Sequence, residues 1–325
     1  MDSNKISDFL YEISPNISFD IRNSYVDNKI YLKISDHNYL LENTDYYYKN
    51  ELNFVHFTNL YSFQNILNQK TIRLTNLHSH NDNQELGYSF GFIDHKYINC
   101  NFSKTHMFSL SMCKRDLMTD EKLINDEFNL WRLYGDNGNG VAIGFKIMNN
   151  PKKWSKYHLS EVYYEIDKLK QLKELYDKII YFLKDEKNVI VDIGKLLSFN
   201  KSALFMSEKE VKILYDETDY YSLGKKDFYD LRSEYYNSYN FKFDISKLLN
   251  GNFHERFIEL PIFSNNEDDS VPSIKIDKIY LGYKYNISKI DYFALSKFEY
   301  QIKQKFGYTP EIVNSRLLKY FNKRM

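Results

Sequence analysis

The chain has 325 residues, 43% of them hydrophobic, which is enough to fill the core of one large domain or two ordinary ones and excludes an intrinsically disordered protein. Its 44 basic and 44 acidic residues cancel, so no whole-molecule field draws in nucleic acid or an anionic membrane, and a polyanionic partner needs a local patch. Cys100 and Cys113 make neither a disulfide framework nor a metal-ligand spacing; the first residues lack the basic and apolar regions of a signal peptide, and no apolar run approaches a bilayer span. A soluble protein of a reducing cytoplasm, with no membrane partner, is expected.

The 30 Tyr and 24 Phe against 11 Gly and 5 Pro read first as AT-rich codon usage and only second as stacking surface, so the tyrosines mark no site by themselves. In chain order, residues 1–50 carry short alternating segments such as KIYLKIS at 29–35 and read as an N-terminal extension packed on the core. NFVHFT at 53–58 is a strand; Asn59 is placed to cap a helix with an apolar face of Leu60, Phe63, Ile66 and Leu67, and TIRLT returns to strand. LHSHNDNQELGY at 77–88 reads as a polar loop and HMFSLSM at 106–112 as a strand. Residues 126–147 read as a short helix, a Gly/Asn-rich turn and a buried strand, and EVYYE at 161–165 as another strand. Leu169, Leu172, Tyr176, Ile179 and Leu183 then predict a helical insertion over about 167–199. EKEVKILYD at 208–216 alternates, with Val211, Ile213 and Tyr215 facing one way and Glu208, Glu210, Lys212 and Leu214 the other. Strands over 256–263 and 274–285 follow, and 286–325 reads as a C-terminal helical segment.

Three features carry possible chemistry. His56 and Thr58 fall on one face of a strand, where two polar side chains suit a cleft better than a core. Glu208 and Glu210, two apart, lie close enough to share a ligand, with Lys212 to keep them ionised. His78, His80, Asp82 and Glu85 fit no standard zinc pattern, GDNGNG at 135–140 precedes a strand where a phosphate loop should open a helix, and no nucleophile elbow or HExxH is present. A core histidine and a solvated strand edge are the structural alternatives for the first two.

FVHFTN, ILNQKTIRLTN, NDNQE, FSLSM, LWRLYGDNGNGVAIGF and EKEVKILY occur in an order that resembles a bacterial family catalogued as domain of unknown function 2971, over roughly 53–285. Lys212 stands where that family has arginine, which removes an expected bidentate grip. A more distant resemblance, carried by the strand with His then Thr, the helix ending in IL and the short strand after it, is to the ADP-ribosyltransferase superfamily, including the DarT toxins.

That resemblance implies an α+β protein with a split mixed β-sheet core over 51–285, helical insertion included, acting as an NAD-dependent glycosyltransferase in a toxin or phage-defence setting. Glu210 and Glu208 would be its catalytic residues, His56, Thr58, Ser109 and Ser111 would hold NAD, and Asp82, Glu85, Trp131, Arg132 and Lys212 would line the substrate. Its partners would be NAD, a nucleic-acid or protein acceptor and a neutralising antitoxin or defence-system protein, with no metal. Arg73, Arg115 and Arg132 offer a possible nucleic-acid surface, but scattered arginines on a neutral chain read first as solvated charge. Two rivals stay open: a non-catalytic nucleotide- or protein-binding module on the same fold, and a metal-dependent nuclease using Asp82, Glu85, Glu208 and Glu210.

Overall fold

A computed structural model describes residues 3–24, 29–77, 85–93, 106–184, 189–217, 257–262 and 269–321. The strands are β1 (Phe19–Ser24), β2 (Lys29–Ile34), β3 (Asn53–Thr58), β4 (Thr71–Asn76), β5 (Met107–Lys114), β6 (Val141–Ile147), β7 (Tyr157–Glu161), β8 (Val189–Asp192), β9 (Glu210–Asp216), β10 (Phe257–Pro261), β11 (Ile274–Leu281) and β12 (Glu311–Asn314). The α-helices are α1 (Ser3–Ile13), α2 (Leu60–Gln69), α3 (Glu85–Phe90), α4 (Ile124–Leu133), α5 (Ile166–Phe182), α6 (Gly194–Leu197), α7 (Tyr292–Phe306) and α8 (Leu318–Phe321). Helices and mixed sheets make this an α+β protein. Among the described residues no helix is long and apolar enough to cross a membrane.

The β3-α2-β4 unit forms as its sequence dictates. Asn59 accepts a hydrogen bond from the Ser62 N–H at 2.8 Å, a cap of about 1 kcal/mol, and Phe63 and Leu67 are buried against the main core at about 1.5–3 kcal/mol each. Lys70, in left-handed conformation, ends the helix and lets β4 begin at once.

The nine-stranded sheet forks at β5. One edge of β5 is fully paired to β9, from Met107 opposite Asp216 to Cys113 opposite Glu210. The other edge is shared: β3 pairs at one end through Phe54 and Val55, and β4 at the other through Thr75 and Asn76. The two strands leave that edge between those contacts and lead into separate wings, β4 to β10 and β3 to β6, β11 and β12.

Register fixes the two faces. Val55, Cys113 and Glu210 stand side by side across β3, β5 and β9, so Ser109, Ser111, Lys212 and Asp216 share their face. Phe54, His56, Thr58, Val211, Ile213 and Tyr215 lie on the other, which carries α2, α7 and most of the core. The first face is covered twice. α4 packs Leu130 and Trp131 over Val55, Phe57 and Cys113; α1, α5 and the small β1-β2-β8 sheet pack over Met107 and Leu214. A charge group of buried Lys33, Lys195 and Asp216 with half-buried Asp36 ties that small sheet to β9.

Several segments differ from the sequence reading. Residues 1–50 include helix α1, which buries Ile6 and Leu10, stacks Phe9 on Phe182 and packs Ile13 against the same core. The strand expected at 161–165 runs instead over 157–161, because buried His158 and Ser160 interrupt its apolar alternation. The 167–199 insertion contains strand β8 beside its helices, and the C-terminal segment returns as β12, parallel to β11. The polar loop of 77–88 turns helical at Glu85; His78, His80 and Asp82 lie outside the described residues, as do Cys100 and the side chain of Glu85.

Candidate functional site

Between the two coverings of the first sheet face lies a polar seam. β9 supplies Glu210 and Lys212; the segment entering β9 supplies Lys201 and Glu208; Tyr134 comes from the end of α4 and Tyr164 from the chain after β7. Glu208 is not on the strand. It closes a 3-10 turn over Ala203–Glu208, and Lys209 adopts a left-handed backbone (φ 44°) that resets the chain before β9. The alternation that joined Glu208 to Glu210 therefore stops at Lys209, yet both carboxylates reach the same place.

Lys201 brings them together. Its Nζ donates to Glu208 Oε2 at 2.8 Å and Glu210 Oε2 at 3.2 Å, all three residues being buried. Glu208 Oε1 accepts the Tyr134 hydroxyl at 2.6 Å. Glu210 Oε1 has no hydrogen bond; Lys212 Nζ stands 3.7 Å from it while donating to the Ser198 carbonyl at 3.1 Å. The lysine in place of the expected arginine thus places one of its three N–H donors on a backbone carbonyl and none within hydrogen-bond distance of Glu210. The Glu210 N–H donates to the Tyr164 hydroxyl at 3.1 Å, fixing the start of the strand.

Electrostatics follow from that enclosure. Burial first, then Glu210 and Glu208, push the Cys113 thiol far up, which leaves it an inert neutral group. Burial and the Glu208 hydrogen bond raise Tyr134, although the residue is 48% exposed, the most open member of the seam. Tyr164 is raised by burial and by Glu210.

Of the sequence-predicted residues, Glu208, Glu210, Ser111 and Lys212 belong to this face. Ser109 does too, but is buried beneath the insertion layer between Thr75 and Leu214. His56 and Thr58 do not. His56 points to the opposite face, where Nδ1–H donates to the Ser111 carbonyl at 2.9 Å in the fork between β3 and β4; burial lowers its pKa, with that hydrogen bond opposing. Thr58 is buried on the same side.

Trp131 is fully buried, edge-on to Phe57, with its indole N–H on Glu127 at 3.1 Å; a ligand cannot reach it without unpacking α4. Arg132 is exposed, 5.8 Å over the Phe128 ring. Arg73 stacks 3.9 Å over Phe257 and Arg115 is forked onto Asp277, so these arginines are engaged locally. Lys201, Tyr134 and Tyr164 were missed, since nothing local in sequence distinguishes them from the many other lysines and tyrosines.

Residues 130–213 match the family model described as protein of unknown function (DUF2971). The matched stretch runs from the end of α4 into β9 and contains Tyr134, Tyr164, Lys201, Glu208, Glu210 and Lys212; β3, α2, β4 and β5 lie outside it. No curated protein and no solved structure matches the chain.

Proposed function

We propose that the chain is an NAD-dependent ADP-ribosyltransferase, a cytoplasmic bacterial toxin or phage-defence effector that modifies nucleic acid or protein and is held in check by a neutralising or defence-system partner. One observation carries the reading: Glu210 is buried, one carboxylate oxygen is fixed by Lys201, and the other accepts no hydrogen bond. A buried acceptor of this kind suits a hydroxyl donor. Breaking the bond between nicotinamide and ribose builds positive charge on the ribose, and a fixed carboxylate on its 2′-hydroxyl stabilises that charge more than the ground state. Ser111 and Lys212 flank the ribose position from β5 and β9, and Glu208 faces the acceptor. The fork at β5 suits a dinucleotide lying across the divergence of two wings, and His56 shapes that fork from the opposite face.

The test is nicotinamide release from NAD by purified protein, with and without EDTA. Release that persists in EDTA and falls by roughly a hundredfold or more in Glu210→Gln is expected. No release under any condition would defeat the proposal.

A second reading, the non-catalytic nucleotide- or protein-binding module, is favoured by one feature: Lys201 already neutralises one oxygen of each carboxylate. It predicts binding of NAD without turnover. The metal-dependent nuclease leans on Asp82, outside the described residues, and on the Glu85 side chain, likewise not described, beside Glu208 and Glu210; the EDTA arm tests it through loss of nucleic acid.

A further inference from the structure

We propose that Tyr134 is itself an acceptor, so that with NAD present the chain transfers ADP-ribose to the Tyr134 hydroxyl. The inference rests on the transferase reading of Glu208 and Glu210. In that reading Glu208 holds the nucleophile that attacks the ribose, and in the structure a nucleophile is already there: the Tyr134 O–H donates to Glu208 Oε1 at 2.6 Å. Among the described residues it is the hydroxyl that hydrogen-bonds to the carboxylate pair.

Three further observations bear on it. Lys201 binds Oε2 of both carboxylates, so Tyr134 on Glu208 and the buried Oε1 of Glu210, which accepts no hydrogen bond, belong to one cluster. Tyr134 follows α4, which packs against the 3-10 turn over Ala203–Glu208; Leu133 on the one and Leu204 and Met206 on the other are exposed and give each element an apolar rim of the kind that takes a nicotinamide or adenine ring. Burial and the Glu208 charge keep the phenol protonated, so it needs a base as it attacks, and Glu208 is in hydrogen-bond contact.

The step balances. The Tyr134 oxygen bonds to ribose C1″, the bond from C1″ to the pyridinium nitrogen breaks, and its electron pair stays on the departing neutral nicotinamide. The phenolic proton passes to Glu208 and then to water. The product carries a bulky dianionic group at the rim, which closes access to Glu208 and makes the modification self-limiting.

The experiment uses the full chain with NAD and no added acceptor, following nicotinamide by chromatography and the protein by intact and peptide mass spectrometry. Expected are nicotinamide release, a mass increase of one ADP-ribose per chain mapped to Tyr134, and loss of that increase in Tyr134→Phe and Glu210→Gln. Wild-type nicotinamide release with Tyr134 unmodified, whether the ADP-ribose is free or on another residue, overturns the self-acceptor assignment and leaves the transferase reading standing. No nicotinamide release by the wild type overturns both.

Discussion

His56 hydrogen-bonds the Ser111 carbonyl across the gap where β3 and β4 leave the same edge of β5. A strand edge that loses its neighbour leaves a backbone acceptor without a ladder partner, and the imidazole supplies the missing donor. His56→Ala is expected to lower stability by about 1–3 kcal/mol, read as a shift in urea midpoint. Nicotinamide release by the folded fraction should survive. If it falls as far as in Glu210→Gln, His56 touches the dinucleotide and its assignment to the opposite face fails.

Lys201 is the single cation bonded to both carboxylates in the geometry described. Lys201→Met strips that ion from two buried acids and is expected to cost about 3–5 kcal/mol. Adding Glu208→Gln and Glu210→Gln should recover part of the loss, because the variants share one network. Additive losses in the triple variant would show that Lys201 acts independently of the pair.

Cys113 lies beneath α4 with its thiol pushed up by burial and two neighbouring carboxylates. Iodoacetamide in native buffer should leave Cys113 unlabelled while denaturant exposes it to complete alkylation, as read by peptide mass spectrometry. Rapid native labelling would mean that α4 lifts from the sheet face and uncovers Cys113.

His158 is fully buried on β7, with neither ring nitrogen hydrogen-bonded, facing Lys195, Asp216 and Lys33, with His37 nearby. Burial first, then the Lys195 charge, hold it well below the ordinary histidine value, so it is neutral when folded. Above about pH 6.5 neither state protonates it and its contribution is constant. Below that pH the unfolded chain binds a proton that the folded chain refuses, and stability falls by up to about 1.4 kcal/mol per pH unit. His158→Leu should flatten this acid limb in thermal melts between pH 7 and 5; an unchanged limb would mean that other groups account for it.

Much of the fold was readable where one face of an element carries a clean period. Asn59 with Phe63 and Leu67 specified α2, and Val211, Ile213 and Tyr215 specified β9. Register was not readable, because alternation marks two faces without saying which neighbours stand beside them. His56 and Glu210 each sat in a plausible strand, and only the pairing through Val55 and Cys113 separates them. Glu208 was placed on the strand because Lys209 hides its left-handed turn in an ordinary side chain, where glycine would have signalled it. β8 and β12, four residues each, were too short to stand out from helical surroundings.

Glu127, at zero exposure on α4, accepts from Trp131 within its own helix and from Ser315 and Arg316, the latter at 2.5 Å, 188 and 189 residues further on. During synthesis the helix that carries Tyr134 has only the indole N–H for that carboxylate until nearly the whole described chain has left the ribosome. Arg316→Ala, which strands the charge, should loosen α4 and raise proteolysis near Tyr134. The site-bearing helix is thus fastened last, so a truncated or half-made polypeptide carries every acid and lysine of the seam without the clasp that seats Tyr134 upon them.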